Sequence, residues 1–310
     1  NRNLQATQKQ KNIENKEINY TIPNSLSEDV LKEAAQLPTY SIPQNEILRR
    51  RDMRNILTCT IDPDEAKDFD DALSFQVLDT GNYQIGIHIA DVTHYVQEQT
   101  LIDEEAYTRG TSIYLVDRVI PMLPERLSNE LCSLRPNEDK LCMSVIVEMD
   151  PNAKVIRHKI CRTVICSDYR LTYRQAQDIL DNQVQDSQLK NPQLTIAINT
   201  LDQLAKQLRV NRFRLGAINF ETPEVHFRLD ENGEPVSIFF HKMFDSNHLI
   251  EEFMLLANRI VAAEIGRKKQ NADNQEKEAK PFVYRVHDNP DPEKIGKLST
   301  FIKRFGLHLK

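Results

Sequence analysis

The thirteen residues TIDPDEAKDFDDA, at positions 60–72, constrain this chain more than any other stretch. They carry six acids, Asp62, Asp64, Glu65, Asp68, Asp70 and Asp71. Apolar segments flank them, Ile56 and Leu57 before, Ala72, Leu73 and Phe75 after, and both flanks read as buried strands. Carboxylates crowded at the edge of a core repel one another and lose solvation, so keeping them ionised there calls for an opposing cation. A hard divalent ion such as Mg²⁺ takes oxygen ligands in octahedral geometry and is bound through one or two carboxylates plus substrate phosphate. The spacing D-x5-D-x-D-D from Asp62 to Asp71 offers such a set. A loop leaving a strand can return Asp62 toward Asp68, and adjacent Asp70 and Asp71 point different ways, one toward metal and one toward water. An EF-hand is excluded: counted from Asp62, loop positions six and twelve are Lys67 and Leu73, where Gly and Glu are required. The plain alternative is an acidic surface turn that binds nothing.

With 310 residues, 40% of them hydrophobic, and only 8 glycines, the chain can bury a large core in one big domain or one domain with an appendage. It contains no run of about eighteen apolar residues, and its first residues lack the apolar region of a secretory signal, so a soluble, cytoplasmic protein without membrane contact is expected. The chain does not begin with Met and stops in FIKRFGLHLK, inside an amphipathic pattern, which points to a fragment. Cys59, Cys132, Cys142, Cys161 and Cys166 are odd in number and form no C-x-x-C pair. Reduced core thiols explain them, with no disulfide-linked partner. The net charge of −6 argues against nucleic acid, whose phosphates draw on Lys and Arg. The distribution softens that objection, because residues 267–310 hold eleven basic side chains against six acidic ones.

In order, residues 1–24 are polar and read as linker. Ser25-x-x-Glu28 reads as a capping box opening a helix to about Gln36. Arg49, Arg50, Arg51 and Arg54 form a charge run that is either solvated or steers a substrate. Strands are expected over 55–61, 72–78 and 83–92, the last two joined by a hairpin turn at 79–82, so that a meander displays the acidic loop on its rim. His88, Asp91 and His94 read as structural, with Asp91 the strongest exception because it ends an apolar strand. A helix over 102–109 ends at Gly110, and the apolar segment 111–138, broken by Pro121 and Pro124, reads as a long irregular loop lining something. Tyr114 within it is a stacking platform or a core tyrosine.

A hairpin follows over 141–149 and 155–166, then a capping box, Thr172-x-x-Gln175, starting a helix with Tyr173 in its first turn. Leu194, Ile198, Leu201, Leu204 and Leu208 recur at helical spacing, and the basic end of that helix carries Lys206, Arg209, Arg212 and Arg214. Another hairpin is expected over 225–229 and 235–240. Ser246 is expected to cap the longest helix, whose early Glu251 and Glu252 suit a helix N-terminus. A strand over 282–287 and a helix over 291–305 complete the reading.

TIDPDEAKDFDDA, IADVTHYV, RGTSIYL with IPMLPERLSNELCSL, LTYRQA and HLIEEFMLLAN occur in this order. Together they resemble the ribonuclease II family over residues 46–310, with 1–45 as linker and short helix before its RNB-type catalytic domain. The resemblance implies an α+β fold, an antiparallel strand meander within a mixed sheet packed with helices. It implies hydrolytic, processive 3′→5′ degradation of single-stranded RNA to 5′-mononucleotides with Mg²⁺. Asp62, Asp68, Asp70 and Asp71 fall on the family's active-site aspartates: Asp62 and Asp71 as main metal ligands, Asp68 supporting metal and catalysis, Asp70 as the residue chemistry depends on. Tyr114 and Phe220 fall on an aromatic clamp for the 3′-terminal bases, Tyr173 on an RNA contact that helps set product length, and Glu251 near the terminal nucleotides.

The departures are the family's flanking OB-type RNA-binding domains and an arginine-bearing T-S-P-I-R-R-Y string, none of which is found here. The expectation is an incomplete catalytic domain that binds metal weakly and has little or no nuclease activity alone. Two other classes stay open, a catalytically silent RNA-binding relative and another metal-dependent phosphoryl hydrolase.

Overall fold

The computed structural model describes residues 25–38, 42–116, 118–218, 225–231, 233–240, 243–266, 269–270, 276–277, 280–284, 286 and 288–309. They divide into two compact units, one through Asn258 and one from Arg259.

The first unit is built on a mixed sheet. Its strands are β1 (Arg51–Asp52), β2 (Thr58–Asp62), β3 (Asp71–Val77) and β4 (Tyr83–Ala90). After a separate two-residue hairpin, β5 (Ile113–Tyr114) with β6 (Val119–Ile120), come β7 (Asp139–Met149), β8 (Val155–Cys166) and β9 (Tyr169–Thr172). The spatial order is β1-β8-β7-β4-β3-β2-β9. The central pairs are antiparallel, and each edge strand lies parallel to its neighbour, β1 to β8 and β9 to β2. This is the expected α+β arrangement, with the acidic run joining β2 to β3 at the sheet rim.

Helices close both faces, because alternating strand residues are apolar on each side. Helix α1 (Glu28–Gln36) brings Val30 and Ala34 onto Ala72, Ala90, Cys142, Ile146 and Ile165. The short α2 (Gln44–Leu48) follows it. Helix α3 (Leu101–Arg109), closed by Gly110 at φ 70°, adds Ile102 to that same core, and a π-helical turn at Arg126–Leu131 adds Leu127. On the sheet's other side, α4 (Tyr173–Leu180) packs on β2 and β9, and α5 (Pro192–Arg214) packs on α4 and β3. The hairpin β10 (Val225–Leu229) with β11 (Pro235–Phe240) falls where the sequence placed it. Helix α6 (Asp245–Gly266) leads into the second unit, which holds the hairpin β12 (Lys269–Gln270) with β13 (Glu276–Lys277) and α7 (Pro292–Lys303), capped by Asp291.

Several local expectations are corrected. The cap of α1 is Ser27, whose hydroxyl accepts from Val30 N at 3.3 Å, because the helix starts at Glu28 itself. Segment 111–138 is less irregular than its prolines suggested, since a hairpin of two-residue strands precedes Pro121 and the π turn follows Pro124. Helix α5, with 23 residues, exceeds α6, with 22. Ser246 lies within α6, its hydroxyl donating to Tyr173 O at 2.8 Å. Phe282, Val283, Tyr284 and Val286 form no strand. Arg50 is not a solvated charge: it is buried, paired with Glu46 and Asp91 at 2.7 Å each, and Arg54 pairs with Asp52 and Asp139. Asp91 is therefore a structural partner, which removes the exception made for it.

A polar seam crosses the sheet. His88 Nδ1 lies 2.7 Å from Ser144 Oγ and its Nε2 2.8 Å from Ser74 Oγ, while Ser144 meets Thr163 Oγ1 at 2.6 Å. Burial pushes the imidazole pKa down to about 3, so it works as a neutral hydrogen-bonding group. Gly86 makes room for it, since a Cβ there would lie 2.3 Å from Ser74 Oγ and 2.4 Å from His88 Nε2. Gly86→Ala is expected to cost about 1–3 kcal/mol of unfolding free energy in a urea titration, because neither crowded atom is at the free end of a flexible chain. Unchanged stability would show that the seam can repack.

Candidate active site

The acidic loop is held by its backbone. Phe69 N donates to Ser133 Oγ at 3.0 Å, Ser133 Oγ donates to Lys67 O at 2.8 Å, and Leu134 N donates to Phe69 O at 2.9 Å. Ala90 N donates to Asp70 O at 2.9 Å. From β9, the Arg170 guanidinium donates to Pro63 O at 2.8 Å and Asp64 O at 2.9 Å and lies 5.4 Å from the Phe69 ring centre. Sequence reasoning missed Arg170 and Ser133. Neither carries a local signal, because both reach the loop only through pairing of distant segments.

Asp62 ends β2 beside Thr172, its register partner in β9. It is buried, and its Oδ2 has no hydrogen-bond partner. Burial, and then the charges of Asp71 and Asp70, push its pKa up to about 7 against the pull of the Arg170 guanidinium. Asp71, half-buried at the start of β3, is pushed up to about 6 by burial and Asp70. Asp70 stands exposed, its pKa raised by desolvation among crowded neighbours and by Asp68. The four aspartates thus form one electrostatically linked series from Asp62 through Asp71 and Asp70 to Asp68.

Two tyrosines flank that series. Tyr173 is lifted to about 12 by burial and by the charges of Asp71 and Asp62. Its place is set by the capping box, Thr172 Oγ1 accepting from Gln175 N at 3.0 Å and Gln175 Oε1 from Thr172 N at 2.9 Å. Tyr114 is 69% exposed on β5. Its phenol pKa is raised by partial burial and then by Asp68 and Asp70.

Glu251 lies on α6 in an ion-pair network, 3.1 Å from Arg212 Nη2, 3.3 Å from Arg209 Nη1 and 3.1 Å from His248 Nδ1. Its neighbour Glu252 is the buried member, 2.5 Å from Arg212 Nη2. Phe220 lies outside the described residues.

A hard cation suits this donor set: all ligands are carboxylate oxygens, Asp62 carries a buried acceptor with nothing to accept from, and burial and then neighbouring acids make three of the four aspartates resist ionisation. Among the described residues, however, no three His, Cys, Asp or Glu side chains converge closely enough to hold a metal as they stand. The expectation that the fold itself closes the four aspartates on one point is corrected to this extent.

Residues 50–309 match the model of the RNB domain family. The chain belongs to that family.

Ribonuclease R of Thermotoga maritima is 41% identical to this RNB chain over 291 residues, which is 93% of this chain and 39% of the relative. DIS3-like exonuclease 2 of Schizosaccharomyces pombe is 40% identical over 271 residues, 84% of this chain and 28% of the relative. The solved structure of Mycoplasma genitalium RNase R in complex with ribose methylated single-stranded RNA superposes with a TM-score of 0.82 at 27% identity, covering 95% of this chain and 44% of that one. The RNB chain therefore spans less than half the length of each of these relatives. Its five cysteines are all free thiols, and among its described residues no helix is long and apolar enough to cross a membrane.

Proposed function

We propose that the protein carrying this chain is a hydrolytic, processive 3′→5′ exoribonuclease that degrades single-stranded RNA to 5′-mononucleotides with Mg²⁺. The observation that carries the reading is the linked series of four aspartates on a backbone-clamped loop in an RNB fold. The names of its relatives, a ribonuclease and an exonuclease, support it. Asp62 and Asp71 would hold the cation, with Asp68 in support. A divalent ion bound there supplies charge neutralisation at the scissile phosphate and lowers the pKa of water.

The chain's own residues do the rest. Asp70, exposed and with a raised pKa, orients the attacking water and takes its proton on the carboxylate. The exposed Tyr114 ring stacks on a base, a contact worth about 1–3 kcal/mol and indifferent to base identity, as a general degradative enzyme requires. Phe220 is its counterpart in this reading. Tyr173, beside Asp62 and Asp71, contacts the RNA nearest the cleaved bond and helps set product length. Glu251 serves the terminal nucleotides only by giving up part of its hold on Arg209 and Arg212.

End-labelled poly(A), duplex DNA and a small aryl phosphate, each in Mg²⁺ and in EDTA, separate the possibilities. From the intact protein that carries this chain, mononucleotides are expected from poly(A) alone and only with metal. RNA binding without turnover would point to a silent relative, and hydrolysis of the aryl phosphate in preference to RNA to a different phosphoryl hydrolase.

A further inference from the structure

A cleft of about 500 Å³ borders the acidic loop. Its apolar lining includes Phe69 and Pro136, and its polar lining Lys67, Arg135, Arg170 and Glu138. Small-molecule sites occupy ~300–1,000 Å³ and combine a mostly apolar lining with a few placed polar groups, which describes this cleft. Three cations face one acid there. Glu138 is already held, its Oε2 2.9 Å from Lys140 Nζ, while its Oε1 lies 4.0 Å from Arg135 Nη1. Lys67 is exposed and pairs with no acid among the described residues.

Arg170 is set in place before any ligand arrives. Its Nη2 is committed to Pro63 O and Asp64 O, and the guanidinium lies 5.4 Å from the Phe69 ring centre. Its Nε and Nη1 make no hydrogen bond among the described residues. A guanidinium locked in this way loses little freedom on binding, and its planar fork matches two oxygens of a phosphate.

We propose that this cleft is a second site, separate from the aspartates, for a nucleoside 5′-monophosphate, its phosphate on Arg170, Lys67 and Arg135 and its base against Phe69 and Pro136. The inference rests on the exoribonuclease reading, which makes that molecule the released product. A terminal phosphate is favoured because it carries about −1.5 to −2 charges at pH 7, and three cations meet a single acid that Lys140 already neutralises. A phosphate inside an RNA strand carries one charge and a sugar on either side. The flat apolar face of a base suits the remaining lining.

The test is calorimetric binding of AMP in EDTA, where the metal-free aspartates repel a dianion, with inorganic phosphate and adenosine as the two halves of the ligand. AMP should bind at least about 10-fold more tightly than inorganic phosphate, which lacks the base. Adenosine should also bind more weakly than AMP. Lys67→Ala and Arg135→Ala are each expected to weaken AMP binding about 2- to 5-fold, the scale of one exposed ion pair. Lys67→Glu combined with Arg135→Glu should weaken it at least about 20-fold, since it sets two acids against the phosphate. Lys159→Ala, an exposed lysine on β8 outside the cleft, and Asp70→Asn should both match the wild type. No AMP binding, equal losses with Lys159→Ala or Asp70→Asn, phosphate binding as tightly as AMP, or displacement of AMP by oligoadenylate without a terminal phosphate would overturn the site. The exoribonuclease reading fails separately: if AMP binds here while the intact protein releases no mononucleotides from poly(A) in Mg²⁺, that reading falls and the phosphomonoester site stands.

Discussion

Asp70→Asn in the intact enzyme is expected to lower turnover by about 10³-fold or more while RNA affinity stays within a few-fold of the wild type. A group that acts only on the reacting water shows its loss in kcat, and removing such a residue typically costs 10²- to 10⁴-fold or more. Three observations put Asp70 in that position. Its carboxylate makes no hydrogen bond among the described residues, so the fold does not depend on it. Its main-chain oxygen is fixed by Ala90 N, so the amide variant keeps its place. Its pKa is raised by desolvation and by Asp68, which moves it toward the range of a working base. The side chain of Asn retains size and hydrogen bonding and loses only the charge and the proton acceptor. Single-turnover cleavage with filter binding on the same variant reads both quantities. A parallel collapse of binding and turnover would move Asp70 into the group that holds metal and substrate.

Much of this arrangement is legible in the chain, and the exceptions have a common cause. The β2–β3–β4 meander, the β7–β8 hairpin and the Thr172 capping box follow from alternation, turn chemistry and capping, all of which act over a few residues. So does the loop that presents Asp62, Asp68, Asp70 and Asp71. What the sequence hides lies in contacts between distant segments. Arg50 reads as part of a surface charge run and is buried against Asp91, forty-one positions on. Arg170 reads as an ordinary strand residue and braces Pro63 and Asp64, because β9 lies parallel to β2. Glu251 and Glu252 are adjacent in the chain, yet only the coordinates show that Glu252 is the buried anchor and Glu251 the accessible one.

Asp62→Asn is expected to stabilise the metal-free protein above neutral pH, the reverse of what removing a functional side chain usually does. An unfolded aspartate has a pKa near 3.9, and burial with the charges of Asp71 and Asp70 holds Asp62 up to about 7 in the fold. Between those values the folded state binds the extra proton, so stability is fully present below about pH 4 and is lost as pH rises through 7. A shift of this size corresponds to at most about 4 kcal/mol, and relaxation of the site brings the expected gain for Asn to ~2–4 kcal/mol at pH 8. In EDTA, the difference in unfolding free energy between variant and wild type should therefore be near zero at pH 4 and grow to a plateau above pH 7. Asp71 is present in both chains and cancels from the difference to first order. Mg²⁺ should oppose and, at high excess, reverse the ranking: a cation that binds only the folded wild type adds about 2.7 kcal/mol at a hundredfold excess over its dissociation constant and about 4.1 kcal/mol at a thousandfold excess, and Asn in place of Asp62 forfeits most of that gain. A pH-independent difference, or equal Mg²⁺ stabilisation of both proteins, would mean that the buried carboxylate is satisfied by the fold alone and holds no metal. The expected crossing of the two stability curves would instead show an acid retained at a cost to the fold because its charge is needed when a cation is bound.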